Sequence, residues 1–155
     1  MTLWRSIDTV LDYAIDNEAS SAQFYRDLAH RAATPELRDV LEGYAREELS
    51  HKQILEQLKR QKQIKIKAVR GLSLEMKAYA VEGVAAPDME VEEALALALA
   101  RENAAFRLYR DLADEVADPK IRNVFLRLAE EEAKHKTNFE QVYAERVGDK
   151  DRPAR

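Results

Sequence analysis

The chain has 155 residues, 25 basic and 29 acidic side chains for a formal net charge of -4, 46% hydrophobic residues and no cysteine. These values predict one compact helical domain, exclude disorder, collagen and a disulfide scaffold, and leave oxygen and nitrogen as the atoms with which a metal could be held. Scattered basic residues give no footprint for nucleic acid, and with no apolar leader and no run of roughly 18 uncharged apolar residues, the chain is expected to be soluble, cytoplasmic and free of membrane contact.

Trp4, Ile7, Leu11, Ala14, Ile15, Ala22, Tyr25, Leu28 and Ala29 recur at steps of three and four residues, the apolar stripe of an amphipathic helix from about residue 4 to 33. Thr34 before Pro35 combines an N-cap with proline at the first helical position. Leu37, Leu41, Tyr44, Leu55 and Leu58 carry this second helix to about residue 62. The next 25 or so residues, about 63–88, exceed the roughly 2–8 residues that join antiparallel neighbours, so a crossover is expected. Within it, Ile64, Ile66 and Ala68 alternate as an extended piece would, and LSLEMKAYAVEG suits a short helix. Asp88 is placed to cap a third helix with Glu90, Glu92 and Glu93 in its first turn and Val91, Leu95, Ala98, Tyr109, Leu112 and Val116 on its stripe. Asp118 and Pro119 repeat the cap-and-proline signal before a fourth helix bearing Ile121, Phe125, Leu128, Phe139 and Val142. That helix is expected to end near Gly148, leaving residues 149–155 as a disordered tail. The expected fold class is all-α: one domain of residues 1–148, built from two tight helical hairpins and a long crossover.

The two hairpins are one sequence written twice. EASSAQFYRDLA begins at Glu18 and ENAAFRLYRDLA at Glu102, an offset of 84 residues. Without a gap, the same offset carries Tyr25 onto Tyr109, Pro35 onto Pro119, Glu47 onto Glu131, Glu48 onto Glu132 and His51 onto His135. A duplicated hairpin packs on its copy about a pseudo-twofold axis, so a residue near that axis arrives twice, from opposite sides of the core.

Charged residues occupy apolar positions of this pattern. The second stripe reads Leu41, Tyr44, Glu48, His51, Leu55 and the fourth Phe125, Leu128, Glu132, His135, Phe139, while Glu18 falls between Ala14 and Ala22, and Glu102 between Ala98 and Phe106. Four carboxylates and two imidazoles therefore point inward, and four buried carboxylates cannot all stay ionised without compensation. Two divalent cations would supply it. Glu and His at i and i+3 share one helix face, and two such pairs with a single Glu from each facing helix form the constellation that holds two iron or manganese ions in helix bundles. Glu47, Glu130 and Glu131, rotated about 100° from the ligand positions, read as a solvated face. His30 reads as exposed or as complementing the dipole at the end of the first helix. Tyr25 and Tyr109, two turns beyond Glu18 and Glu102 on the same face, are placed to hydrogen-bond a ligating carboxylate.

In these motifs the chain resembles the rubrerythrin branch of the ferritin-like superfamily, over essentially its whole length to about Val147. The resemblance implies a ferritin-like four-helix bundle with a non-haem di-iron centre that reacts with hydrogen peroxide or dioxygen, in peroxide detoxification or iron handling. It also implies Glu18, Glu48, His51, Glu102, Glu132 and His135 as the ligands, with Tyr25 and Tyr109 behind them. Typical members carry a rubredoxin-like domain with four cysteines; here there is no cysteine, so a separate electron-donor protein is expected. Typical members also carry a further Glu three residues after the third-helix ligand, where this chain has Ala105, with Ser21 as its repeat mate, so a more symmetric site is expected. The expected function is an oxidoreductase using two Fe ions, or Mn or a mixed pair, to reduce hydrogen peroxide or dioxygen. The alternatives are a ferroxidase or iron store, and a non-catalytic interaction bundle. Ser21, Ala22, Ala98 and Ala105 are expected to leave room for a small oxidant. Ile64, Ile66 and Leu72, read as exposed in the crossover, suggest a homodimer.

Overall fold

Four helices form where the sequence places its stripes and proline-marked starts. The computed structural model describes residues 6–61, 64–67, 74–75, 78–81 and 89–151. Its elements are α1 (Ile7–His30), α2 (Pro35–Arg60), α3 (Val91–Glu115) and α4 (Pro119–Asp151). Trp4, Ala68, Leu72 and Asp88, the side chains of Val91 and Val142, and residues 152–155 lie outside the described part.

Side-chain oxygens satisfy N–H groups that the first turns leave open. Ser6 accepts from the Thr9 amide at 3.3 Å, Thr34 from Leu37 at 3.2 Å and Asp118 from Lys120 at 2.9 Å. The Ser6 cap starts α1 at Ile7, later than its apolar stripe suggests. At the start of α3 the cap residue is Glu90, in extended conformation and without a capping side-chain bond, rather than Asp88. At the other end of the chain, α4 runs through Gly148 to Asp151, so the expected end near Gly148 and the tail from 149 are corrected. A helical glycine costs only about 1 kcal/mol relative to alanine, which a long helix can absorb.

The first hairpin pairs α1 with α2 and the second α3 with α4; they meet through α1 against α3 and α2 against α4. The expected extended piece of the crossover exists: Ile66 forms an antiparallel bridge with Val116, closed by Lys67 N to Glu115 O at 2.7 Å and Ala117 N to Lys65 O at 2.9 Å. This clamps the crossover to the end of α3. Ile64 and Ile66 pack against the core instead of standing exposed, which removes their part of the case for a homodimer. Among the described residues of the stretch expected to be a short helix, one turn closes from Ala78 N to Glu75 O at 3.2 Å.

Two apolar clusters fill the bundle. One gathers Leu11, Ala14, Leu55, Leu108, Leu112, Phe125 and Leu128; the other gathers Phe24, Leu28, Leu41, Tyr44, Leu95, Ala98 and Phe139. In every helix the inward charged residues fall between the stretch given to one cluster and the stretch given to the other. Burying an aliphatic or aromatic side chain of this size contributes about 1.5–3 kcal/mol, so the apolar layers on both sides hold the polar layer in place. No helix among the described residues is long and apolar enough to cross a membrane.

Candidate metal centre

All six inward polar residues converge at mid-bundle. Glu18 comes from α1, Glu48 and His51 from α2, Glu102 from α3, and Glu132 and His135 from α4; none is more than 2% exposed. Their ligand atoms fall into two groups, Glu18 with Glu48, His51 and Glu132, and Glu102 with Glu48, Glu132 and His135. Within each group one ligand atom per residue lies within 4.8 Å of the others. Glu48 and Glu132 belong to both.

Hydrogen bonds orient every member. His51 Nδ1 faces inward, 2.9 Å from Glu132 Oε1 and 3.7 Å from Glu18 Oε2. His135 Nδ1 mirrors it, 3.1 Å from Glu48 Oε1 and 3.6 Å from Glu102 Oε2. The remaining ring nitrogens meet other carboxylates: His51 Nε2 lies 2.5 Å from Glu131, and His135 Nε2 is hydrogen-bonded to Glu47. Tyr25 donates its phenol to Glu102 Oε1, and Tyr109 donates to Glu18 Oε1. Each tyrosine thus serves the carboxylate of the opposite hairpin, because two helical turns along its own helix, roughly 10 Å, are beyond a phenol's reach. Exchange of the two repeats maps every one of these contacts onto its counterpart, the symmetry expected from Ser21 and Ala105.

Burial, and next the charges of Glu18 and Glu102, hold Glu48 well above the usual carboxylate range. Glu132 is raised in the same way, by burial and then by Glu48. For Glu102 burial also pushes upward, but hydrogen bonds from Glu132, His135 and Tyr25 outweigh it and leave the carboxyl lowered. Burial opposes a charged ring at His51 and His135, yet Glu18 and Glu131 raise the first, and Glu102 and Glu47 the second. Tyr25 and Tyr109 are raised well above their ordinary range by burial and then by Glu102 and Glu18, so both phenols remain proton donors. Without cations, the cluster holds protons in their place.

The residues fit a pair of divalent cations. Oε2 of Glu18 and Oε2 of Glu102 are buried acceptors with no hydrogen-bond partner, an arrangement that costs about 1–3 kcal/mol or more for a charged group. A cation between them is the partner of the right charge, and a set of carboxylate oxygens and imidazole nitrogens suits first-row divalent metals. Among the described residues, the four carboxylates form ion pairs with the two histidines and with no lysine or arginine. On the α1–α3 side the cluster borders a cavity of about 160 Å3 lined by Asn17, Ser21, Tyr79, Arg101 and Ala105. Ser21 and Ala105 thus leave the expected room, while Ala22 and Ala98 are buried in the core instead. On the α2–α4 side a vestibule of about 330 Å3 is lined by both histidines together with Glu47, Ser50, Glu131 and Asn138.

Glu47 and Glu131 touch the site in a way that helix phase alone misses. It assigns both to a solvated face, and Glu47 does remain 58% exposed and Glu131 34%, yet each carboxylate reaches a histidine of the other hairpin. Helix phase gives the direction of a Cβ; the end of a glutamate can still turn back toward the core. The repeat is the signal that could have found them, since it keeps both residues at the 84-residue offset. Glu130 is exposed as expected, and so is His30 in the last turn of α1.

The sequence profile described as Rubrerythrin matches the chain twice, over residues 9–92 and again over 93–155. The chain belongs to the rubrerythrin family. The two matches begin 84 residues apart, the offset of the internal repeat, so each hairpin is matched as one copy. Among solved structures, a protein from Thermotoga maritima described as ferritin-like and diiron-carboxylate is 19% identical, with a TM-score of 0.80 over 94% of this chain and 99% of that one. At that identity the likeness shows the fold, an all-α ferritin-like four-helix bundle. No curated protein matches. The resemblance to rubrerythrins read from the Glu-x-x-His repeats is borne out for family and fold.

Proposed function

We propose that this rubrerythrin-family protein is a di-iron oxidoreductase that reduces hydrogen peroxide or dioxygen with electrons from a separate donor protein. The observation that carries the reading is the pair of overlapping ligand groups, with Glu48 and Glu132 common to both, Glu18 and His51 at one end, and Glu102 and His135 at the other. The diiron-carboxylate description of the Thermotoga maritima relative supports it. A bound iron pair would supply the electrons that cleave the O–O bond.

The protein itself supplies orientation, charge and access. Tyr25 and Tyr109 occupy Oε1 of Glu102 and Glu18 and leave each Oε2 free for a cation. Because burial keeps both phenols protonated, they donate hydrogen bonds and do not compete as ligands. The cavity beside Ser21 and Ala105, about 160 Å3, has room for a small oxidant. One wall is the crossover residue Tyr79, whose phenol donates to Asp111 at 2.5 Å while the Arg107 guanidinium lies 5.9 Å from its ring centre. The chain has no cysteine with which to build an iron–sulfur relay, so electrons come from outside it.

The test is anaerobic loading with Fe(II), elemental analysis, and then separate mixing with hydrogen peroxide and dioxygen while each is followed to exhaustion. About two iron ions per chain, as in two-metal sites, with faster consumption of hydrogen peroxide, is the expected result. Glu48→Ala or His135→Ala sharply lowers the iron content. Faster consumption of dioxygen turns the reading toward a ferroxidase, and folded protein without bound metal refutes it.

A further inference from the structure

The contacts of Glu47 and Glu131 extend the site beyond its six ligands, and the role they suggest rests on reading those six as a metal centre. We infer that Glu131 and Glu47 are positioning residues, each locking a histidine of the opposite hairpin with its proton on Nε2 so that the Nδ1 lone pair faces the metal. A neutral imidazole has one donor and one acceptor nitrogen, and the partner of one nitrogen decides the role of the other. Nδ1 of His51 faces the Glu18, Glu48 and Glu132 carboxylates at 2.9–3.9 Å, the groups that would hold the metal, so a cation bound among them would displace any proton from Nδ1 and leave Nε2 as the nitrogen that carries one. Glu131 Oε2, an acceptor 2.5 Å from Nε2, accepts it. At His135, Nδ1 faces Glu48, Glu102 and Glu132, and Glu47 Oε2 accepts from Nε2.

The wiring crosses between repeats. A histidine from the first hairpin is oriented by a carboxylate from the second, and the reverse, so neither hairpin alone can present its imidazole correctly. The two clamps also differ. Arg127 Nε lies 3.6 Å from Glu131 Oε1 one turn away on α4, whereas the repeat mate of Arg127 is Gly43, which has no side chain to brace Glu47. Glu131 is accordingly the less exposed of the two.

Zn(II) is a suitable probe because it is redox-inert and leaves imidazole nitrogen spectra readable. The experiment measures Zn(II) affinity by chelator competition, and the ring 15N signals of His51 and His135 by NMR, with His30 as internal reference. Glu131→Ala is expected to lower Zn(II) affinity about 10- to 100-fold and to shift the ring signals of His51 while leaving those of His135 in place. Glu47→Ala gives the mirror result at His135. Glu131→Gln keeps an acceptor oxygen and recovers most of the affinity, and Glu130→Ala, which removes an exposed neighbouring charge, leaves affinity unchanged. Unaltered affinity and ring signals in the alanine variants overturn the inference. So does a folded Gln variant as weak as the Ala variant, or an equal loss from Glu130→Ala, which would make the effect a general field. Wild-type protein that takes up no Zn(II) overturns the metal reading itself; unimpaired uptake in the Glu131→Ala and Glu47→Ala variants overturns only the positioning role.

Discussion

Loading the centre with Zn(II) is expected to raise thermal stability and to abolish a pH dependence that the metal-free protein shows. In the metal-free fold, Glu48 and Glu132 are held well above the usual carboxylate range by burial, and His51 and His135 are raised by surrounding carboxylates despite burial. A raised group binds its proton more tightly in the folded than in the unfolded chain, so its contribution is complete below the unfolded pKa and is lost as pH climbs through the folded one. The loss begins above about pH 4.3 for the glutamates and about pH 6.5 for the histidines. Glu102, which is lowered, acts in the opposite sense and only in acid, below the ordinary carboxylate value. Above about pH 6.5 the metal-free protein therefore loses stability as pH rises, until the raised groups have titrated, by about 1.4 kcal/mol per pH unit for each extra proton the fold still holds. Two such protons give about 2.7 kcal/mol per unit, or roughly 5–11 °C in Tm at about 2–4 °C per kcal/mol for a chain of this size. Cations replace those protons, and saturation of two sites at about 100 times Kd adds about 2.7 kcal/mol per site. The Zn(II)-loaded protein is thus expected to melt roughly 10–20 °C higher. Circular dichroism melts with and without Zn(II) across this pH range measure both effects. A metal-free Tm that is flat or rises with pH, or a Tm indifferent to Zn(II), refutes the argument.

Tyr25→Phe keeps the buried ring but strands Glu102 Oε1, so urea denaturation of the metal-free variant is expected to show a loss of about 1–3 kcal/mol; Tyr109→Phe does the same at Glu18. Phe125 is fully buried in the cluster beside the metal layer, and Phe125→Ala is expected to cost about 3–5 kcal/mol while leaving metal per folded chain unchanged. Thr34→Ala removes the cap of α2 and is expected to lower stability by about 1 kcal/mol, with no change in Zn(II) affinity because the cap lies far along the helix from Glu48.

The amphipathic stripes, the caps at Thr34 and Asp118 and the six inward polar residues are properties of single helices, readable because burial forces a 3.6-residue period on the sequence and a charge in that period stands out, and the 84-residue repeat is readable by comparing the chain with itself. A position that must be apolar for packing but carries Glu or His in both repeats has few physical readings, which is why the convergence of these six residues was legible. The ends of the helices were less so. The starts of α1 and α3 and the run of α4 through Gly148 depend on free-energy differences of about 1 kcal/mol, small enough for neighbouring contacts to decide. Only the tertiary structure could pair Tyr25 with Glu102, His51 with Glu131, and Ile66 with Val116. Each of those contacts joins residues from different hairpins, or from the crossover and a helix end. Periodicity fixes the direction in which a side chain leaves its own helix. The atom it meets is set by the docking of one hairpin on the other, and no single helix encodes that docking.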